Sequence, residues 1–178
     1  MSIPRPPKPA KLVIGAFLKD KELFESLAKE LIAEFGPVDI ISQWFLFDYT
    51  SYYEPEMGAP LFRRMLAFNR LIEQANLSQI KNFTNEIETR YSNNGKRIVN
   101  IDPGFMLHEK FVLATGKNFA HRIYIGNNIY ADLTLIYQDG EFRTLPWTYP
   151  DYADERMLSF LKNVRDKYFA DMKQEYEK

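Results

Sequence analysis

Residues 97–151, RIVNIDPGFMLHEKFVLATGKNFAHRIYIGNNIYADLTLIYQDGEFRTLPWTYPD, decide the fold of this chain. The stretch contains both histidines, His108 and His121, and several Asp, Asn and Arg residues among alternating apolar residues. Alternation of apolar and polar residues is typical of strands that bury one face. We therefore expect this stretch to be largely β-sheet and to contain the functional site.

Two turn signals divide the second half of this stretch. Asn127-Asn128 stands between two alternating segments, and Asp139-Gly140 stands between two further ones. Asn, Asp and Gly tolerate the positive φ values that tight hairpin loops require. The sequence therefore predicts two β-hairpins in succession.

The length of the first hairpin loop decides which residue meets Asp132. A two-residue loop at the asparagines places His121 and Asp132 on one side of the ribbon as diagonal neighbours. A three-residue loop that includes Gly126 places Arg122 opposite Asp132 instead, because a shift of one residue exchanges the two faces of a strand. We favour the two-residue loop, which makes His121 and Asp132 the candidate catalytic pair. A structural cross-strand contact is the other interpretation of either pair.

The first part of the chain predicts a strand–helix–strand unit. An apolar run at residues 11–18 predicts a buried strand, and helical spacing over residues 23–35 predicts a helix that a Gly-Pro pair ends. A second apolar run at residues 38–47 predicts a strand parallel to the first.

The middle of the chain predicts two helices and an interrupted strand. Apolar residues at helical spacing predict helices over residues 60–72, with Pro60 in the first turn, and over residues 80–91. The strand predicted at residues 96–101 ends at a turn formed by Asp102, Pro103 and Gly104. Residues 106–115 favour a short helical turn followed by a strand.

The last predicted element is a long helix capped by Asp154. The predicted fold class is α+β, with a mixed β-sheet, helices packed mainly on one side, a ferredoxin-like arrangement, C-terminal β-hairpins and a long terminal helix. We expect one domain over residues 1–178, with a Pro-rich extended arm at residues 1–10 and a fraying helix end at residues 171–178. The buried face of the last helix is predicted to carry Met157, Leu161, Val164 and Tyr168.

Composition limits the class of function. The chain has 178 residues, of which 23 are basic and 24 acidic, and it contains no cysteine. The balanced charge argues against a nucleic-acid partner. The absence of cysteine excludes disulfides and thiolate chemistry and fits a cytoplasmic location. No apolar run approaches the ~20 residues of a membrane span, so no membrane partner is expected.

Acidic residues near predicted strand ends form the candidate metal site. Glu54 and Glu56 lie in a polar segment rich in tyrosine, and Asp102 follows the strand predicted at residues 96–101. Such carboxylates suit Mg²⁺, provided that a phosphate also binds there. The alternative is that Glu54 and Glu56 only favour the N-terminal dipole of the next helix.

Polar and aromatic residues from several segments form the candidate ligand-binding set. Trp147, in the segment WTYPDY, is typical of a stacking wall for a base, or of an aromatic plug between the last strand and the last helix. No GxxxxGK[ST] phosphate loop is present, and residues 115–118 supply only a TGKN fragment. The candidate ligand-binding residues are Tyr53, Thr84, Asn85, Glu88, Asn100, Arg122 and Trp147.

Six sequence blocks carry a resemblance to a known family. They are SxPRxPxPAKL (residues 2–12), YYEPEMG (52–58), IKNFTNEIE (80–88), RIVNIDPGF (97–105), HRIYIGNNIYADLTLIY (121–137) and WTYPDY (147–152). Together, in this order, they resemble the bacterial domain-of-unknown-function family 4416. Members of that family are sometimes labelled GTP-binding proteins, and the resemblance implies that the polar residues of these blocks could converge on one site.

Two hypotheses of different classes follow. The first is a small-molecule site for a nucleotide or another phosphorylated metabolite, with His121 and Arg122 facing the anion and Glu54, Glu56 or Asp102 holding Mg²⁺. The second is a noncatalytic protein-interaction or assembly module that uses the aromatic loops and the Pro-rich arm. It predicts an exposed apolar patch and a homo-oligomer.

Overall fold

The computed structural model describes residues 3–176, with side chains as far as residue 173. Its strands are β1 (Ala10–Leu18), β2 (Val38–Ile41), β3 (Phe45–Phe47), β4 (Leu61–Ile72), β5 (Ser92–Asn93), β6 (Lys96–Arg97), β7 (Val99–Met106), β8 (Lys110–Thr115), β9 (Arg122–Tyr124), β10 (Tyr130–Gln138) and β11 (Glu141–Thr144). Its helices are α1 (Leu23–Phe35), α2 (Glu54–Met57), α3 (Leu77–Arg90) and α4 (Glu155–Tyr176).

One large antiparallel sheet organises the fold. Its strand order is β11-β10-β8-β7-β1-β4-β2, with β3 also paired to β4 and β9 also paired to β10. The segment β1-α1-β2-β4-α3-β7 gives the order β7-β1-β4-β2, which is the split βαβ arrangement of ferredoxin-like folds. The predicted α+β class is confirmed, including the C-terminal hairpins and the long terminal helix.

Strands β1 and β2 run in the same direction but are not neighbours. Strand β4 pairs antiparallel with β1 on one edge and with β2 on the other. Strand β4 therefore inserts between the two strands that α1 connects. As a result, the pairings of the sheet are antiparallel rather than mixed, although the expected parallel direction of the two strands is preserved.

The two faces of the sheet are covered by different helices. On one face of the sheet, alternate residues of β1 pack with α1 and α3. On the other face, Val13 packs in a cluster with residues of α4. The spacing of two between residues on one face follows from the pleat of a strand. The four residues predicted for the buried face of the last helix are all buried: Met157, Leu161, Val164 and Tyr168.

The segment predicted as a helix over residues 60–72 is instead strand β4, so that prediction was wrong. Apolar residues recur there at spacings of four and three, which fits a helix. A central strand that is buried on both faces also shows no clean alternation, and residues 65–68 are all buried. The apolar period is therefore ambiguous, and the two strands that flank β4 decide the outcome.

The turn predicted at Asp102, Pro103 and Gly104 is also wrong, because these residues lie inside β7. All three pair with consecutive residues of β1. At Gly104, a Cβ atom would lie 2.4 Å from the backbone oxygen of Val112 on β8. Gly104 is thus required for the close approach of two strands rather than for a turn.

Most of the remaining local predictions show the expected elements with adjusted bounds. Helices α1 and α3 form, and the Asp154 side chain accepts a hydrogen bond from the backbone N of Arg156 at 2.9 Å at the start of α4. Asp139 and Gly140 form the second hairpin turn with positive φ. Residues 107–109 link β7 to β8 through a tight turn rather than a helical one.

The two ends of the chain are only partly described. Residues 3–9 of the predicted arm have no regular secondary structure and are exposed as far as Lys8, whereas Met1 and Ser2 lie outside the described residues. Of the predicted fraying end, α4 continues through Tyr176, and residues 177–178 lie outside the description. Within residues 3–176, no helix is long and apolar enough to cross a membrane.

Candidate functional site

Asp132 lies opposite Arg122 in the first hairpin. The hairpin has a three-residue loop, in which Gly126, Asn127 and Asn128 all have positive φ. The preferred two-residue loop is therefore wrong, and the alternative register is the one observed. Glycine adopts positive φ without steric cost, so Gly126 can join the two asparagines in the loop.

Asp132 nevertheless contacts both residues that the two registers offered. Its Oδ2 atom lies 2.9 Å from Nε of Arg122 and 3.2 Å from Nε2 of His121. His121 precedes β9, and a turn closed by Arg122 N and Phe119 O lies at this point, so the alternation of the strand does not fix its ring. Arg122 thus neutralises the carboxylate that was expected to serve His121 alone.

His121 and Trp147 form a stacked pair. Their ring centroids are 4.8 Å apart, and their planes differ by 8°. Trp147 also donates from Nε1 to the backbone oxygen of Leu133 on β10 at 2.8 Å. One face of the Trp147 ring and its polar atom are therefore engaged with His121 and β10.

Arg122 is the centre of a group that we call the rim cluster: Tyr52, Lys117, His121, Arg122, Asp132 and Tyr149. Arg122 donates to the backbone oxygen of Lys117 at 3.0 Å and to the hydroxyl of Tyr149 at 2.6 Å. Lys117 donates from Nζ to the hydroxyl of Tyr52 at 3.1 Å, and this hydrogen bond lowers the pKa of Tyr52. Among the described side chains, Lys117 has no carboxylate within ion-pair distance.

A second group, the inner cluster, consists of Arg63, Asn100, Asp102 and Asp151. Arg63 is 3% exposed, pairs closely with Asp151 and reaches Asp102 at 3.4 Å. Asp102 keeps 26% of its side chain exposed and has a second cation, Lys81, only at 4.0 Å. Asp102 is therefore the most loosely paired carboxylate of the inner cluster.

Asn100 presents a buried donor without a partner. The residue is 4% exposed, and its Oδ1 accepts a hydrogen bond from Arg97 at 3.0 Å. Arginine can only donate, so this contact fixes the orientation of the amide. The opposite end, Nδ2, is buried and has no hydrogen-bond partner among the described residues. A buried amide donor in this state is costly and favours an added acceptor.

The free edge of β7 is closed by two side chains of α3. Strand β8 pairs with β7 only from Gly104 onward. At Ile101, the backbone N donates to Oε1 of Glu88 at 2.8 Å, and the backbone O accepts from Nζ of Lys81 at 2.6 Å. Glu88, predicted to bind a ligand, therefore satisfies the backbone of a strand edge.

Glu56 forms a bidentate ion pair with Arg97. Both carboxylate oxygens lie 2.8 Å from guanidinium nitrogens, and the backbone N of Arg97 donates to Oε1 at 3.1 Å. The Arg97 hydrogen bond lowers the pKa of Glu56 to about 2, and Glu56 in turn raises the pKa of Arg97. This carboxylate is therefore committed to Arg97.

The rim and inner clusters lie on one face of the sheet. Asp132 is opposite Leu113, and Leu113 is opposite Gly104. Cross-strand partners and residues two apart on a strand share a face. Asp102 and Asn100 therefore lie on the same face of the sheet as Asp132. Helix α4 covers another part of this face.

Tyr53 stands between the two clusters. Burial, followed by the nearby charge of Asp102, raises its pKa to about 12, and Tyr149 contributes in the same direction. Its ring packs edge-on against Phe17 at 4.7 Å and against Tyr52 at 4.9 Å. Tyr53 thus connects a residue of the inner cluster with two of the rim cluster.

The remaining predicted residues do not join this surface as expected. Thr84 is fully buried and donates to the backbone oxygen of Lys81 within α3, and Asn85 lies partly buried on the same helix. Glu54 is exposed at the start of α2. Within the described part of the chain, no three His, Asp or Glu residues form a group that could hold a metal ion. The candidate metal ligands Glu54, Glu56 and Asp102 therefore do not come together as a three-carboxylate site.

Sequence reasoning missed several residues of the two clusters. Arg63 lies in the segment that was predicted as a helix and is in fact β4, and Lys117 and Tyr149 were not selected. A signal was available for Arg63, because a buried strand reading of residues 61–68 places it on the face of Met65. Nothing in the local sequence marks Lys117, whose position depends on the path of the loop after β8.

A model of a known protein family matches most of the chain. A model described as "Domain of unknown function (DUF4416)" matches residues 8–168. The chain belongs to this family. The match spans every residue of the rim and inner clusters, so both are part of the DUF4416 region. Neither the curated proteins nor the solved structures gave a significant match.

Proposed function

We propose that this DUF4416 protein binds a phosphorylated small molecule, of which a nucleotide is one example, at the surface between the rim cluster and the inner cluster. One observation carries the proposal. Tyr53 lies close to residues of both clusters, and among the described residues Lys117 is a cation without a carboxylate partner and Nδ2 of Asn100 is a buried donor without an acceptor. Phosphate and polar groups of one ligand would satisfy both.

The rim cluster suits the phosphate group. Arg122 uses three of its five N–H groups on Asp132, Lys117 and Tyr149, which leaves two for a ligand. The hydroxyls of Tyr52 and Tyr149 accept from Lys117 and Arg122, so their own hydrogens are free to donate. Two cations facing one carboxylate give the rim a net positive charge, which favours an anion.

The inner cluster suits the uncharged end of the ligand. Nδ2 of Asn100 can donate to a carbonyl or hydroxyl oxygen, and the loosely paired Asp102 can accept from a hydroxyl or an N–H group. The two residues lie two apart on β7 and so present a donor and an acceptor on one face. This combination favours a ligand with both types of group.

The geometry supports binding more strongly than catalysis or a protein-held metal. Arg122 shares the Asp132 oxygen that contacts His121, which weakens the carboxylate as a partner for a catalytic histidine. Glu56 is committed to Arg97. Any Mg²⁺ would therefore enter with the phosphate rather than occupy a carboxylate cage. A cytoplasmic location, which the sequence favours, suits a metabolite ligand.

A thermal-shift panel of GTP, ATP, GMP and inorganic phosphate, each with and without Mg²⁺, tests the proposal. A ligand at about 100 times its Kd adds about 2.7 kcal/mol of stability, equivalent to several degrees in Tm for a chain of this size. Lys117→Ala should reduce the shift, whereas Lys162→Ala, an exposed lysine on α4, should leave it unchanged. No shift with any of these ligands would contradict the proposal.

A second candidate function, protein interaction, is favoured by a different surface. Three apolar side chains at and before β9 are strongly exposed: Phe119 at 65%, Ile123 at 71% and Tyr124 at 58%. Exposed apolar groups of this size at a sheet edge are typical of interaction surfaces. The thermal-shift panel separates the two functions, because an interaction surface predicts no response to phosphate ligands.

A further inference from the structure

A groove of about 510 Å³ lies beside α2. Apolar side chains of Leu46, Phe47, Pro60 and Leu61 line it together with Tyr49. Two carboxylates, Asp48 and Glu54, also line it, as do the small residues Thr50, Ser51 and Ala59. Both acidic residues are exposed, and neither has an ion-pair partner among the described residues. The groove is therefore apolar and aromatic inside and negatively charged at its border.

The Pro-rich arm has the complementary chemistry. Residues 3–9 read IPRPPKP, and Arg5 and Lys8 are exposed without a carboxylate partner among the described side chains. A polyproline II segment has three residues per turn, so residues three apart share an edge. Arg5 and Lys8 then form one basic edge, and Pro4 and Pro7 form an apolar one. Proline segments of this kind dock in aromatic-lined grooves.

The arm is anchored at its C-terminal end, and residues 3–8 are exposed. The backbone oxygen of Pro9 accepts from the hydroxyl of Tyr168 at 2.8 Å, and that of Lys8 accepts from Gln74 at 2.9 Å. Both contacts lie at the end of the sheet where β1 begins. Ile3 is 83% exposed. The side chains of the arm are thus presented outward from a fixed point.

The arm cannot reach the groove of its own molecule. The groove lies at the opposite end of β1, because Leu18 is paired with Phe62, next to the groove residue Leu61. The nine residues of β1 span roughly 30 Å at 3.3 Å per residue. The seven arm residues span roughly 22 Å at 3.1 Å each. Arg5 and Lys8, which precede the anchor at Pro9, can therefore reach this groove only in another molecule.

We propose that the Pro-rich arm of one copy of this chain docks in the groove beside α2 of a second copy, with Arg5 and Lys8 facing Asp48 and Glu54. The contact joins two different surfaces, so it either repeats head to tail or closes into a dimer in which two copies exchange their arms. Because its charged border is exposed, it weakens as salt rises. None of the four charged residues of this contact belongs to the rim cluster or the inner cluster.

Charge reversal tests the assignment of both partners. Wild-type protein is examined by sedimentation velocity from about 1 μM to about 1 mM, a range that covers weak specific contacts. Self-association should rise with concentration and fall with salt. The arm variant Arg5→Glu/Lys8→Glu and the groove variant Asp48→Lys/Glu54→Lys should each associate at least tenfold more weakly. The matched controls Lys162→Glu and Glu34→Lys, both exposed, should associate like wild type.

Mixing the two variants gives the decisive result. The acidic arm of one should dock in the basic groove of the other, so an equimolar mixture should recover association that neither variant shows alone. Wild type that stays monomeric at every concentration would overturn the proposal. Association that neither variant weakens would overturn it too, and would assign the contact to another surface, such as the apolar residues around β9.

Discussion

Arg122 faces Asp132 across β9 and β10, and its Nε donates to a carboxylate oxygen 2.9 Å away. Asp132 is 2% exposed, and the side chain of Arg122 is 8% exposed, so the pair is largely removed from water. Removing one partner of such a pair leaves a desolvated charge behind. The pair is therefore expected to control the stability of the hairpin.

Asp132→Asn should lower the free energy of unfolding by about 3 kcal/mol or more, because Arg122 loses its counter-charge. Urea unfolding of the variant measures this loss. The double variant Asp132→Leu/Arg122→Met should be destabilised by less than the sum of the effects of Asp132→Leu and Arg122→Met, since the double variant leaves no buried charge without a partner. Strictly additive effects would mean that the two side chains do not interact energetically.

Gly104→Ala should destabilise the protein by roughly 1–3 kcal/mol, because the new Cβ meets a backbone oxygen that cannot rotate away. That oxygen, of Val112, lies 2.4 Å from the Cβ position. Gly116→Ala is the matched control, since a Cβ there meets nothing within 4 Å. Equal urea midpoints for the Gly104 and Gly116 variants would show that β7 and β8 are not as close as described.

Glu56 should make unfolding depend on pH in the acidic range. Its folded pKa is about 2, lowered from 4.5 by the Arg97 hydrogen bond. A lowered pKa stabilises the fold above the unfolded value, and this stability is lost as pH falls from 4.5 through 2. The side chain is 32% exposed, so solvent screening reduces the effect to on the order of 1 kcal/mol.

The measurement is urea unfolding of wild type and Glu56→Gln between about pH 5 and about pH 2.5. The variant should start less stable and should lose less stability on acidification than wild type. Glu54→Gln serves as the control, because Glu54 is exposed on the same short helix. If Glu56→Gln showed the same acid dependence as wild type, the ion pair with Arg97 would not contribute to folding.

Local patterns predicted those elements whose sequence matches one period only. Helix α4 has a regular apolar face and a capping Asp154, and α1 ends at Gly36 with positive φ. Strand β4 was not predicted, because a strand that is buried on both faces shows no alternation of apolar and polar residues. The register of the first hairpin was predicted wrongly by one residue, because Gly126 suits the loop as well as the two asparagines do.

The candidate site could be predicted in part, since its polar residues stand out within apolar strands. His121, Arg122, Asp132, Asn100 and Asp102 were all selected from sequence. Their partners were not, because pairing depends on the order of strands that are distant in sequence. The contact of Arg63 with Asp102 joins residues 39 positions apart, and no local pattern encodes that distance.

A nitrogen-edited NMR titration with GMP tests most directly whether the rim and inner clusters form one ligand site. The side-chain amide of Asn100 and the signals of Lys117 and Arg122 are the reporters. We expect all three to shift together and to give one Kd, and we expect Lys117→Ala to weaken the binding measured at Asn100. Shifts confined to other surfaces, or different Kd values at Asn100 and Lys117, would contradict a shared site.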